Sequence, residues 1–526
     1  MGPPAFIPHL IRNAVALRIS PSLDSGDTRA QVFAYPSLAA SIFSERLHCP
    51  KQGITAMSRL LSALVFLLWL TPTLADRLFV DGFEPAHIDP LFPAVGQTHQ
   101  LPPGPTSNQL AWVLSELVSG ENTTSGEISA HFDSGYDPAT MRDFFNNVLR
   151  PGFPNAVIRD VVAVTPVRIT VVINAPGGGP PYGYVNIGAS YSGSRKIVTL
   201  GVSNYYGSVQ YVQDQTLTLT QAADKFITLS DTPALLVGRI NASGQCTAVV
   251  DRSANQLRAT GSIFKIWILG AVAHAVANGS LDPDTGIALV ASKLALAGTI
   301  NSEPPGTVFP LYDMAELMMG ISDNTATDHL HALIGRAPIE QTVDDFGFSQ
   351  PDVLKPFLNI SEQFSMYFSF PLATAMAYVN GTEVFQRQFL QNNIEPITPV
   401  MGGAYANTQI FLSGTWRATP MDICRAYAHL RRLPQGSDAI DLVNHALGAG
   451  VAQPEIRNKW DRVWYKGGSL DGAAGHYVLT HAWMLENAGN DPWVIIAMSN
   501  NSTGGIDEYA VQSVTGRILE LIAQMP

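Results

Sequence analysis

Lysine is scarce in this chain, eight in 526 residues. Only Lys265 has a serine three positions before it, in Ser262-Ile263-Phe264-Lys265. At i and i+3 on a helix, a hydroxyl and an ammonium share a face within hydrogen-bond reach. Ser262 stands where an apolar helix is expected to begin, so its attack and the resulting oxyanion would face the positive end of the helix dipole. Lys265 lies inside that apolar run, and burial lowers a lysine pKa toward the range where it can accept a proton. An activated serine beside a desolvated lysine is a sufficient design for acyl transfer.

Taken alone, the pair also reads as an ordinary serine N-cap with a lysine in the first turn. Two further segments change the balance. Ser322-Asp323-Asn324 occurs once, 60 residues after Ser262, just before a helix through Leu330, Leu333 and Ile334. Lys466-Gly467-Gly468-Ser469 follows an aromatic strand ending Trp464-Tyr465. Its glycines let a ligand approach the strand edge closely, and Lys466 supplies a fixed positive charge. Separately these read as a helix cap and a turn; in this order and with this interval they read as one site.

The three segments resemble the S-x-x-K, S-D-N and K-T-G marks of class A β-lactamases and penicillin-binding proteins. The resemblance extends over about 216–526, and Ala418-Thr419-Pro420-Met421-Asp422 looks like that family's segment after the Ω loop. It implies a β-lactamase/transpeptidase-like α/β sandwich. It also implies Ser262 as nucleophile, Lys265 as its base, Ser322 as proton relay to the leaving group and Asn324 as substrate orienter. Lys466 would hold a substrate carboxylate or tune Ser322. Gly467 and Gly468 would border the bound substrate, and the N–H groups of Ser262 and Ser469 would form an oxyanion hole. The third mark is altered, because Gly467 lacks the hydroxyl expected after the lysine. The stretch between Asn324 and Thr419 is longer than in class A by some tens of residues. No E-x-x-L-N sequence occurs there, and Glu340, Glu362, Glu383 and Glu395 all lack that context. Class A enzymes deacylate through such a glutamate; here Lys265 would be the only base. These features are similar to a two-domain subgroup that includes a protein of clavulanic acid biosynthesis clusters, which resembles an esterase more than an efficient lactamase. The resemblance implies an enzyme acting on an ester or β-lactam-type acyl substrate, with no cofactor. A true class A β-lactamase, a penicillin-binding receptor that stays acylated and an inactive scaffold are the alternatives.

These residues must be positioned by a large body at 216–526. Ala234 to Ile240 and Cys246 to Asp251 read as strands joined through Asn241–Gly244. Ser262 to Val276 is apolar all round and reads as a helix buried on every side, ended by Asn278-Gly279. Trp464 to Lys466, Ala474 to Leu485 and Val494 to Ser499 read as strands, and a last helix runs from about Tyr509 to Ala523. Ahead of this body a small α+β domain is expected over 106–215. Leu110, Val113, Leu114 and Leu117 mark one helix. A second opens at Asp137-Pro138 and closes at Pro151. Val157 to Ile173, Tyr182 to Tyr191 and Lys196 to Val202 read as strands, the first two joined by a loop at 177–181. This domain shows no catalytic constellation and reads as a docking or scaffolding domain.

The amino terminus reads as export and not as fold. Met57-Ser58-Arg59, the apolar run Leu60 to Leu70 and Thr71 to Ala75 have the layout of a signal peptide cleaved near Ala75, which predicts a periplasmic or secreted protein. The run is shorter than the about 20 residues of a membrane span, so no integral membrane segment is expected in the mature chain. Residues 1–56 read as an upstream extension and 76–105 as an extended lead-in. Trimming 1–75 removes six basic and three acidic residues and takes the formal charge from −12 to −15. An acidic chain with scattered Lys and Arg excludes a nucleic-acid binder. Charged residues make up 14% and apolar ones 46%, the opposite of a disordered composition. Three cysteines exclude a disulfide scaffold and leave open whether Cys246 pairs with Cys424. His329-Leu330-His331 is no metal site, since residues two apart on a helix diverge. Oligomeric state is not legible.

Overall fold

The computed structural model describes residues 104–154, 156–174, 182–205, 207–401 and 407–525. The upstream extension, the signal at 57–75, nearly all of the lead-in and the loop at 177–181 lie outside the described residues. The described residues all fall in one compact unit.

Helices Pro105–Val118, Ser125–His131 and Pro138–Phe144 come first. Asp137 caps the third, accepting from the Thr140 N–H at 2.7 Å. Pro151 does not close that helix. The chain winds on through a π-turn at Phe145–Leu149 to Gly152, because a proline in the first turn of a new helical segment loses no hydrogen bond it needs. The four antiparallel strands that follow, β1 (Ile158–Thr165), β2 (Arg168–Asn174), β3 (Tyr182–Ala189) and β4 (Ile197–Tyr205), pair in sequence order. The single strand expected over 157–173 is therefore two. Pro166 interrupts it: Thr165 pairs with Arg168 across a two-residue turn, and proline has no N–H to give the ladder. The short helix Ser125–His131 carries too few apolar residues for periodicity to reveal it. Its Thr124/Glu127 capping box is its sequence mark.

The larger sheet has strand order 462–472, 475–486, 493–500, 234–240, 246–252, antiparallel throughout. First and last portions of the body thus meet in its middle, where Trp493–Asn500 pairs with Ala234–Ile240. Alternation divides the side chains between two cores. Leu236, Ala482, Met484, Val494, Ile496 and Met498 face a helical layer that contains Lys265–Ala277. Leu235, Val237, Trp483, Leu485, Ile495 and Ala497 face helices Leu219–Phe226 and Glu508–Ile522. Trp493–Asn500 is buried along its whole length, as a central strand covered on both faces must be. Cys246 and Cys424 form a disulfide that ties an edge strand to helix Pro420–Arg431.

Hydrogen bonds along β1 and just after β3 help to join the four-stranded sheet to the larger body. The Val164 N–H donates to Ala449 O at 2.8 Å and the Val451 N–H to Val162 O at 2.9 Å, so residues 449–451 lie alongside β1. Tyr191 and Ser192 donate their N–H groups to the Glu303 carboxylate at 2.7 and 3.0 Å.

Candidate active site

The helix that carries Lys265 begins late. Gly261–Phe264 is a tight 3-10 turn, and the α-helix proper is Lys265–Ala277, so Ser262 sits on the turn that enters the helix. That turn is pressed against the strand 462–472. Gly261 has φ +51°, and a Cβ there would come within 2.7 Å of Gly468 C and Ser469 N. A Cβ on Gly468 would come within 2.5 Å of Ser262 N and closer still to Thr260 O. Two glycines thus meet where backbone must approach backbone, bringing the N–H groups of Ser262 and Ser469 to one place. Gly467, Gly468 and Ser469 lie inside the strand and not after it, with Gly468 opposite Thr480.

The turn is held by residues that the sequence did not single out. The Thr480 hydroxyl lies 2.7 Å from Thr260 O and 3.1 Å from Gly468 O. The Asn500 side chain exchanges both hydrogen bonds with the Ala259 backbone, at 2.8 and 3.2 Å. The Thr260 N–H donates to Trp416 O at 3.0 Å, and the Trp416 ring stacks on Phe264 with centroids 3.7 Å apart. Alternation places Thr480 and Asn500 on inward-facing positions of their strands. A polar residue at such a position is the signal that could have found them.

Lys265 is fully buried. Its ammonium donates to Ser322 O at 2.7 Å, to Ser322 Oγ at 3.1 Å and to Asn324 Oδ1 at 2.8 Å. That uses all three protons, so the hydrogen bond expected between Lys265 and Ser262 does not form. The nearby helix start takes the ammonium's protons, and the half-buried Ser262 hydroxyl stays outside the network. Burial lowers the Lys265 pKa to about 7, opposed in part by the charges of Asp323 and Asp328. Lys466, also buried, donates to Ser322 Oγ at 3.0 Å and to Gly467 O at 2.6 Å. Burial, with the Lys265 charge beside it, pushes its pKa well below the ordinary lysine value. The Ser322 oxygen thus accepts from both lysines, which leaves its own proton to give elsewhere.

Ser322 is held in the left-handed region, φ +59°, a conformation that costs a residue with a side chain about 1–3 kcal/mol and recurs at functional sites. What over-determines it is Asp323, the N-cap of helix Asn324–Ile334. The Asp323 carboxylate accepts from Ala326 N at 2.7 Å, Thr299 N at 2.5 Å and Ile300 N at 3.1 Å. Asn324 donates from Nδ2 to Leu296 O at 2.7 Å, so its Oδ1 must face Lys265. The structure therefore gathers Lys265, Ser322, Asn324 and Lys466 into one hydrogen-bonded cluster. Ser262, Gly468 and Ser469 lie beside it.

The four glutamates between Asn324 and Thr419 are all engaged elsewhere. Glu362 closes a capping box with Asn359 and pairs with Arg336 at 2.8 Å. Glu395 lies 3.7 Å from the same guanidinium. Glu340 and Glu383 share Arg387, at 2.6 and 2.7 Å. His329 accepts the Val290 N–H at 2.9 Å through Nε2, and His331 Nε2 lies 3.2 Å from Phe357 O. Both imidazoles tie loops to their helix.

Residues 243–388 match the beta-lactamase enzyme family. Among solved structures, the chain is similar to a beta-lactamase from Chitinophaga pinensis, at 15% identity and TM-score 0.39, covering 58% of this chain and 97% of that one. It is similar to an ancestral class A beta-lactamase at 19% identity and TM-score 0.38, covering 58% and 98%. A further similar structure is a mutant of PBP-A as its acyl-enzyme complex with penicillin G, at 16% identity and TM-score 0.38, covering 58% and 96%. Comparison with curated proteins gives no match.

Proposed function

We propose, from the premise that residues 243–388 carry a domain of the beta-lactamase enzyme family, that this is an exported serine hydrolase working through an acyl-enzyme on Ser262. The observation that carries the reading is the Ser322 hydroxyl shared by two buried, depressed lysines. Neutral Lys265 takes the Ser262 proton as the hydroxyl attacks, helped by the pKa match to neutral pH. The resulting ammonium is welcomed by Ser322 O and Asn324 Oδ1. Ser322 gives its proton to the leaving group and is reprotonated from Lys265, with Lys466 keeping its oxygen oriented. The N–H groups of Ser262 and Ser469 receive the developing oxyanion. Water then attacks the acyl carbon with Lys265 again as base.

Deacylation by Lys265 alone favours a slowly turned over ester above a β-lactam, because Glu340, Glu362, Glu383 and Glu395 are committed to ion pairs and caps. The Cys246–Cys424 disulfide supports the exported reading, since such bonds persist in oxidising compartments. Residues 106–215 are proposed as a docking or scaffolding domain and 216–526 as the hydrolase body.

The mature chain and Ser262→Ala are to be incubated with a fluorescent penicillin, nitrocefin and p-nitrophenyl acetate. The expected result is ester turnover and slow penicillin labelling, both lost in the variant. Rapid nitrocefin hydrolysis would instead indicate a true β-lactamase, and stable labelling with no turnover a receptor. A variant indistinguishable from its parent in every assay would end the assignment.

A further inference from the structure

Residues 352–356 and 413–417, with Leu358, Gln363, Tyr378 and Glu383 among others, border a cavity of about 380 Å³. It is separate from the lysine cluster: none of Ser262, Lys265, Ser322 or Lys466 lines it. Its volume falls in the range of small-molecule sites. The walls combine an apolar part, including Leu354, Leu358, Tyr378 and Trp416, with polar groups that lack partners. Thr415 is 6% exposed, and its hydroxyl is buried with no hydrogen-bond partner among the described residues. The Arg417 Nε is buried in the same condition. No carboxylate among the described residues pairs with Arg417. Two acids and a lysine also line this wall, and the lysine and one of the acids are paired with residues beyond it. Lys355 is bound by both oxygens of Asp344 at 2.7 Å, Glu383 pairs with Arg387 at 2.7 Å, and Asp352 is exposed.

A buried donor without a partner is costly, and Arg417, enclosed at Nε but part-exposed as a residue, brings a charge unpaired among the described residues to the same wall. Two such groups two residues apart in one segment, both bordering one cavity, need an acceptor that the protein itself does not supply. We propose that this cavity is a second ligand site, taking a small organic anion whose carboxylate sits on Arg417 and Thr415 and whose apolar body lies against Trp416 and Tyr378. The site is coupled by contact to the nucleophile turn, because Trp416 carries both the Phe264 stack and the carbonyl that receives the Thr260 N–H.

The probe is sodium phenylacetate, with phenylacetamide as its uncharged twin, titrated into the mature protein by calorimetry and by NMR. The parent is expected to bind the acid and not the amide, and Arg417→Met to bind the acid at least about tenfold more weakly. Thr415→Val, which keeps shape and removes the hydroxyl, is expected to weaken it severalfold. Arg417→Met is also expected to melt no lower than the parent, since it removes a part-buried charge that no carboxylate among the described residues pairs with. Acid bound equally by parent and Arg417→Met, amide bound as well as acid, or no acid bound by the parent up to about 20 mM would each overturn the proposal. Ser262 labelling plays no part in these readouts, so their failure is distinct from a failure of the hydrolase reading.

Discussion

The molecule buries cations in two regions and treats them in opposite ways. At the joint between the four-stranded sheet and the larger body, Arg457 is 3% exposed and donates to Val161 O at 3.1 Å and Gly448 O at 2.6 Å. The Asp160 charge further favours its ionised form. Burial lowers its pKa only to about 10, so it stays charged at neutral pH and acts as a fixed bolt. At the nucleophile turn, Lys265 and Lys466 face one another across a single hydroxyl, with no carboxylate hydrogen-bonded to either among the described residues. Burial takes Lys265 to about 7, and the Lys265 charge adds to burial in depressing Lys466. Burial is common to both regions. The difference lies in the cation and what meets it. A guanidinium on carbonyls beside an acid makes cohesion, whereas an amine among neutral oxygens, next to another amine, makes a proton acceptor.

The sharpest way to break that contrast is at the reacting pair. Lys265→Met is expected to slow acylation of Ser262 by about 10³-fold or more while the fold persists, as loss of a general base does, measured by stopped-flow with an ester. At the bolt the same kind of change acts on stability instead. Arg457→Met strands two carbonyls and removes the charge that Asp160 favours, and is expected to cost about 3–5 kcal/mol in denaturant unfolding, with the rate per folded molecule little changed. Gly468→Ala forces the strand away from Thr260 and Ser262 and is expected to cost about 10²-fold in kcat, with KM and Tm much less affected.

The pH profile separates the regions again. The rate of Ser262 acylation is expected to rise about tenfold per pH unit below about 7 and to level above it, because only neutral Lys265 accepts the proton. For stability the sign follows from linkage. Between about 7 and 10.5 the unfolded chain holds the Lys265 proton that the folded chain has lost, so stability climbs with pH across that window. Lys265→Met removes the Lys265 share of the climb and leaves the part that buried Lys466 contributes with the same sign. The smallest effect is expected at His476, held between Asp471 and Glu508, whose hydrogen bonds raise its pKa to about 10. Its contribution is full below its unfolded pKa near 6.5 and lost as pH rises through about 10. With the side chain 27% exposed, His476→Gln should cost only about 0.5–1 kcal/mol at pH 6 and nothing above pH 11.

Much of this was legible in the residues, and what was not has definite causes. The helix at 265–277 and the strands at 234–240, 475–486 and 493–500 announced themselves through largely continuous apolar runs, since a segment covered on both faces has little polar side to confuse its period. The hairpin at Pro166 was hidden because Val, Ile and Thr continue on both sides of the proline. The strand at 462–472 was cut short because Gly467 and Gly468 look like a turn. Only the neighbouring turn at Gly261, which needs that strand's backbone bare, explains glycines inside it.

The sequence by itself determined the chemical inventory: Ser262, Lys265, Ser322, Asn324 and Lys466, with Lys265 in surroundings apolar enough to lose its proton. That much is local, set by residue type and by the hydrophobicity of the helix around it. Tertiary structure decided which of these groups touch. It gave the ammonium of Lys265 to Ser322 and Asn324 in place of Ser262, set Lys466 on the far side of the same hydroxyl, and joined Cys246 to Cys424. It also left Thr415 and Arg417 facing a cavity. Hydrogen-bond partners separated by 57 to 144 residues depend on how sheet and helices stack, and no local pattern encodes that.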